Sequence, residues 1–206
     1  MTPPAQITLL PGNPLRGSYT LPGDKSLSHR AALFAALANG ESRIEHFLSA
    51  NVTQAMLAAL TALGVDWEMQ EDVLYVRSSG LAAWQPPTHP LDCGNSATSL
   101  RLLAGALAAS GLPAMLDGTA GLRRRPMGRI LEPLHRMGVP IQAAPGNTAP
   151  LTLHSRSRNQ ALSPLHYRLP VSSAQVKTCL LLAALAADGE TTLHEPGPSR
   201  DHTERM

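Results

Sequence analysis

The chain repeats itself, and an internal repeat restricts a fold more than composition does. Ala35-Ala-Leu-Ala-Asn-Gly-Glu-Ser-Arg-Ile-Glu, Ala106-Leu-Ala-Ala-Ser-Gly-Leu-Pro-Ala-Met-Leu and Ala184-Leu-Ala-Ala-Asp-Gly-Glu-Thr-Thr-Leu-His share one pattern. Each reads as the end of an Ala/Leu helix, a glycine stop and a short alternating strand. Gly40, Gly111 and Gly189 stand at the stops, where the left-handed cap conformation suits glycine. A second pattern follows twice, at Asn51 to Gly64 and Arg125 to Gly138, with apolar residues at helical spacing. Strand pairs come next: Val65–Gln70 with Val73–Arg77, and Val139–Ala143 with Pro150–His154. Turn formers separate them, Glu71-Asp72 in one and Pro145-Gly146-Asn147 in the other. With leading strands expected at Gly17–Leu21 and His166–Leu169, the unit reads βαβαββ. Its first helices, within Ala31–Ala38, Leu100–Ala109 and Cys179–Ala187, are nearly all apolar or Ala and so are expected to be buried. The expected fold class is α/β, with the helices inside and the sheets outside. The third copy enters its second helix at Ser199-Arg-Asp-His-Thr-Glu-Arg-Met and stops there. A domain rarely ends in the first turns of a helix. The expectation is therefore a piece of a longer enzyme, lacking at least one helix and two strands of that unit.

Composition removes several classes. Hydrophobic residues make up 43% of the 206 and charged residues 16%, which excludes a disordered polyelectrolyte. No apolar run is long enough for a membrane helix. Met1 to Ser18 has neither the basic start nor the apolar run of a signal peptide. Cys93 and Cys179 form no disulfide framework and no zinc spacing, so a reducing, cytoplasmic setting and no metal or other cofactor are expected. All but two of the 17 basic residues are Arg. Against that background Lys25 and Lys177 suggest positions where a compact ammonium is needed and a guanidinium does not serve.

Four segments could carry chemistry. Leu21-Pro-Gly-Asp-Lys-Ser-Leu-Ser-His-Arg30 turns from a strand into a helix near Ser26. Ser26 and Arg30, four apart, share a helical face beside Lys25. A helix start supplies free N–H groups and a positive dipole end, and Lys and Arg complete an anion site. Asp92-Cys-Gly-Asn-Ser-Ala-Thr-Ser-Leu-Arg101 is a second helix start, with Asn95, Ser96 and Thr98 able either to cap it or to bind a polar ligand. Gly121-Leu-Arg-Arg-Arg-Pro-Met-Gly-Arg129 sets four arginines at a third, with Pro126 in the first helical turn. Arginine opposes the dipole there, so at least one is expected to face an anion; the plain alternative is a solvated basic edge. Pro170-Val-Ser-Ser-Ala-Gln-Val-Lys177 gives Ser172, Ser173 and Gln175 at the start of the third unit's helix. Three such helix starts facing one cleft would trap anions.

Taken together, these segments resemble the EPSP synthase family of enolpyruvyl transferases. The first two are similar to its two long signatures. Arg124-Arg-Pro-Met, Ser173-Ala-Gln-Val-Lys and Glu195-Pro-Gly-Pro-Ser-Arg-Asp-His-Thr-Glu-Arg-Met are also similar, the last especially to glyphosate-insensitive members. The resemblance covers about residues 7 to 206 in family order. It implies two domains of three βαβαββ units each, an inside-out α/β barrel arrangement. This chain would be the N-terminal, shikimate-3-phosphate-binding domain over 19–206. An arm, 1–18, would pair with a second domain that is absent. The implied reaction moves the enolpyruvyl group of phosphoenolpyruvate to the 5-hydroxyl of shikimate 3-phosphate and releases phosphate, in aromatic amino acid biosynthesis.

By the same resemblance Lys25 touches phosphoenolpyruvate, takes part in proton transfer and belongs to both substrate sites. Ser26 and Arg30 hold the shikimate carboxylate side. Ser173, Ala174 through its backbone, and Arg200 hold the 3-phosphate. Gln175 lies between the substrates, Arg125 grips phosphoenolpyruvate, and Asn95 and Ala97 line its pocket. Many relatives have Gly where Ala97 stands, so the methyl should disfavour glyphosate, leaving it a weak inhibitor. Thr119 and Gly121 depart from the family's usual Asp and Ser. The second domain's acidic groups are absent, so no turnover is expected of the chain alone. A bacterial monomer that binds neither nucleic acid nor membrane is implied. The alternatives are a UDP-amino-sugar enolpyruvyl transferase, disfavoured by the Asp-Lys-Ser-x-x-His-Arg pattern, and a non-catalytic phosphate or nucleic-acid module. Aromatics at 3% offer few stacking platforms for the latter.

Overall fold

The computed structural model describes residues 7, 8, 10–12, 14 and 16–206. Half of the expected arm at 1–18 lies outside the described residues. The first unit contains α1 (Lys25–Leu37), β1 (Asn39–Ile44), α2 (Asn51–Ala62), β2 (Asp66–Gln70) and β3 (Val73–Ser79). The second contains β4 (Leu91–Asp92), α3 (Ala97–Ser110), β5 (Ala114–Asp117), a short α4 (Ala120–Arg123), α5 (Gly128–Arg136), β6 (Ile141–Ala144) and β7 (Thr148–Leu153). The third contains β8 (His166–Arg168), α6 (Ala174–Ala184), β9 (Thr192–His194) and one turn of α7 (His202–Arg205).

The sheets follow the repeat. One has the order β1-β3-β2 and the next β4-β5-β7-β6, while β8 and β9 form a two-stranded parallel pair. The leading strand pairs parallel with the strand after the first helix in both later units, β4 with β5 and β8 with β9. Glu71 and Asn147 both take φ 56° in the expected turns. The expected strand at Gly17–Leu21 does not form. A strand needs an edge to pair with, and β1 pairs with β3 alone among the described residues. The segment instead runs beside the His46–Ser49 loop, with Tyr19 and Leu21 exposed.

The three first helices form the centre. Every residue of α3 except Arg101 is buried. It crosses α6 at Gly105, where a Cβ would lie 2.2 Å from the backbone oxygen of Cys179. The sheets lie outside these helices and turn alternate residues inward, as in β7. Of the three expected glycine stops, Gly111 alone caps its helix, at φ 72° with its N–H on Leu107 O. Gly40 lies beyond the Ala38 cap inside β1, and Gly189 lies beyond α6, which caps at Leu185. Arg156 adds to the α3 end by donating to Ala108 O and Ala109 O at 3.0 and 3.2 Å. Those are the carbonyls a helix end leaves unmet.

Candidate functional site

Three helix starts meet at one cavity of about 390 Å³. Lys25, Ser26 and Arg30 reach it from α1, Thr98 and Arg101 from α3, and Ser173, Ala174 and Gln175 from α6. Arg200 completes the lining from the loop before α7. Each helix begins on a polar cap. Asp24 Oδ1 accepts from the Leu27 N–H at 2.9 Å, Ser96 Oγ from Ser99 at 3.1 Å and Ser173 Oγ from Val176 at 3.4 Å. Four cationic side chains line the cavity and no carboxylate does. A larger hollow of about 540 Å³ lies over β1 and β3, but its Arg77 is already paired with Glu41 and Asp66. It offers an anion no surplus charge.

Arg30 is fully buried, and all five of its N–H donors are in use. Nε donates to Thr203 Oγ1 at 2.8 Å. Nη1 donates to Ser26 Oγ and O at 2.7 and 3.2 Å. Nη2 donates to Thr178 Oγ1 and Ala174 O at 2.8 and 3.3 Å. Burial lowers its pKa, yet every acceptor here is neutral and the guanidinium keeps its charge. Arg30 is thus a cross-link between α1, α6 and α7. A ligand carboxylate reaches it only by displacing one of those acceptors.

Asn95, Ala97 and Arg125 do not line this cavity. Exposed Arg125 donates from Nη2 to Asn95 Oδ1 at 3.2 Å, and Ala97 is buried between Ser96 and Thr98. Arg101, which sequence reasoning missed, joins the two places. It donates to Gln175 Oε1 at 2.6 Å and to Pro126 O at 3.0 Å, next to Arg125. Gln175 Nε2 in turn donates to Thr98 Oγ1 at 2.9 Å. The available signal was that Arg101 is the one charged residue of its helix, three residues after Thr98. Pro126 lies outside the helix it was expected to enter, because α5 begins at Gly128. Of the four arginines, Arg123 pairs with Asp117, which explains its place without any ligand.

His29, fully buried, ties two of the helix starts together. Its Nδ1 lies 2.7 Å from Lys25 O, so that nitrogen carries the proton and donates it. Nε2 then accepts from Ser96 Oγ at 3.2 Å. Burial is the main cause of a pKa below the usual 6.5, followed by the opposing bond to Lys25 O. In acid the unfolded chain therefore takes a proton that the folded chain refuses. Stability is intact above about pH 6.5 and falls as the pH drops toward the folded value, by at most about 1.4 kcal/mol per pH unit. A His29→Gln variant is expected to lose that much of the slope between pH 6.5 and 5 in denaturant titrations. Parallel slopes for the two proteins would refute it.

The family model for EPSP synthase (3-phosphoshikimate 1-carboxyvinyltransferase) matches residues 9–206. The chain belongs to the EPSP synthase family. A 3-phosphoshikimate 1-carboxyvinyltransferase of Coxiella burnetii is 46% identical over 199 residues, covering 96% of this chain and 44% of that protein. One from Acidithiobacillus ferrooxidans is 48% identical over 200 residues, 95% of this chain and 44% of its own. The EPSP synthase structure from Acinetobacter baumannii superposes with a TM-score of 0.86 at 41% identity, over 92% of this chain and 42% of that one. The chain thus spans under half the length of the EPSP synthases it matches. These relatives are bacterial, and among the described residues no helix is long and apolar enough to cross a membrane.

Proposed function

We propose that this chain is the shikimate-3-phosphate-binding part of a 3-phosphoshikimate 1-carboxyvinyltransferase. One observation carries the reading: three capped helix starts and four cations line a single cavity without a carboxylate. Helix N-termini and guanidinium groups favour phosphate and carboxylate ligands. Ser173, the Ala174 N–H and Arg200 take the 3-phosphate, while Ser26 and Arg30 stand toward the shikimate carboxylate. Exposed Lys25 reaches both substrates and moves a proton. Gln175, already bonded to Thr98 and Arg101, lies between that site and a phosphoenolpyruvate site at Asn95, Ala97 and Arg125. In the transfer, the 5-hydroxyl gives up its proton and its oxygen bonds to C2 of phosphoenolpyruvate as the methylene carbon gains a proton. Loss of a proton and of phosphate then restores the double bond.

Fixed cations stabilise the charge of such a tetrahedral intermediate. The acidic groups that complete it belong to the part of the relatives' length this chain does not span. A cytoplasmic monomer, weakly inhibited by glyphosate because of Ala97, is part of the same reading.

Titration of the 206-residue chain with shikimate 3-phosphate, followed by amide NMR shifts, tests it. Saturable shifts are expected at Lys25–Ser26, Ser173–Gln175 and Arg200. A folded chain with no saturable shift there overturns the reading.

A further inference from the structure

Lys177 is one of only two lysines in the chain, and it does not line the cavity. Its side chain is 11% exposed and sits on α6 one turn below Ser173. Nζ lies 2.7 Å from Glu195 Oε2 and 2.5 Å from Glu204 Oε1. Glu195 extends the network in two directions. Its Oε1 accepts the Ser173 backbone N–H at 3.0 Å, and its Oε2 accepts Ser199 Oγ at 2.9 Å. Ser172 Oγ adds a bond to Gly197 O at 2.7 Å. The loop that carries Arg200 is therefore tied on both sides to one ammonium, through Ser199 before it and Glu204 after it.

We propose that Lys177 is a positioning residue for the phosphate end of the cavity, holding Ser173 and Arg200 in one arrangement through Glu195 and Glu204. The inference rests on the substrate reading above. Its physical basis is charge. Two carboxylates beside an anion site repel the ligand and each other unless a cation stands between them. Burial alone would lower the Lys177 pKa, but the two carboxylates outweigh it and raise it. Burial would likewise raise Glu195, and Lys177, Ser199 and the Ser173 N–H bring it below the ordinary range instead. A compact ammonium meets both carboxylates from a single point, which fits a lysine here in an arginine-rich chain.

The test compares shikimate 3-phosphate with shikimate, titrated into the wild-type chain, Lys177→Met, and Lys177→Met with Glu195→Gln. Lys177→Met is expected to weaken shikimate 3-phosphate by about ten- to a hundredfold, the usual range for a lost bond to a charged group. Shikimate should change by less than about twofold, because it lacks the group this network positions. Adding Glu195→Gln removes the unpaired carboxylate and should restore part of the loss. A merely structural lysine would weaken both ligands alike and give no such rescue. Should Lys177→Met fail to fold, Glu204→Gln at a 40% exposed carboxylate releases the α7 tie alone. It is then expected to cost about threefold for the phosphorylated ligand only. A folded Lys177→Met or Glu204→Gln chain that keeps the wild-type preference overturns the inference and leaves the substrate reading standing. A wild-type chain that binds no shikimate 3-phosphate overturns both.

Discussion

Gly105→Ala is expected to lower the unfolding free energy by about 3 kcal/mol, the upper range for overpacking a filled core. For a chain of this size that corresponds to a fall in Tm of roughly 6–12 °C. Helix propensity alone predicts the opposite sign, since alanine in a helix interior is favoured over glycine by about 1 kcal/mol. The contact decides the sign. A Cβ at Gly105 would lie 2.2 Å from Cys179 O, 2.8 Å from its Cα and 2.9 Å from its carbonyl carbon. All three are backbone atoms, so no side chain can rotate away and α3 and α6 must separate. Separation also strains the bond from Gln175 on α6 to Thr98 on α3. Shikimate 3-phosphate affinity is expected to fall with stability. Thermal and denaturant unfolding of the variant check it, and a Tm at or above wild type would show that the helices do not approach so closely.

Arg30→Met is expected to cost about 3 kcal/mol or more, because each buried acceptor left without its donor costs about 1–3 kcal/mol. Ser26 Oγ, Thr178 Oγ1, Thr203 Oγ1 and Ala174 O all accept from this guanidinium. The loss is expected to be below a simple sum, since the threonine hydroxyls bond each other at 2.5 Å and can reorient. Arg30→Lys keeps the charge with at most three donors from one point, so partial recovery is expected. The regional signature is at α7, which Arg30 ties down through Thr203. Amide exchange at 202–205 should quicken more in Arg30→Met than exchange in α3, which lies away from that tie. A variant within about 1 kcal/mol of wild type, with unchanged α7 exchange, would show that the neutral acceptors need no guanidinium.

Local pattern carried a large part of the architecture. The nearly all-apolar run of Leu100–Ala109 predicts a buried helix, and α3 is buried apart from Arg101. Paired strands with turn residues between them predict β2–β3 and β6–β7, which form with Glu71 and Asn147 in the turns. Helix starts were visible because caps are local, a matter of one side chain and an N–H three residues on. Gly17–Leu21 misled because a strand is a property of two segments, and that segment has no paired edge here. Gly40 and Gly189 misled because glycine suits several positive-φ positions besides a helix cap.

By itself the sequence determined the repeat, the buried helices and the polar residue types at three helix starts. The helices and their starts follow from local spacing, where backbone geometry leaves few choices, and the repeat from the recurrence of that local pattern along the chain. Only the tertiary structure decided which starts share a cavity and which charges within it are already engaged. Arg30 reads on the page as a free anion ligand, yet its five donors meet acceptors from residues 26, 174, 178 and 203. Lys177 reads as an unexplained lysine until Glu195, just beyond β9, and Glu204 of α7 close on it. Partners that far apart in sequence meet only through helix packing, and electrostatics depends on their separation in space.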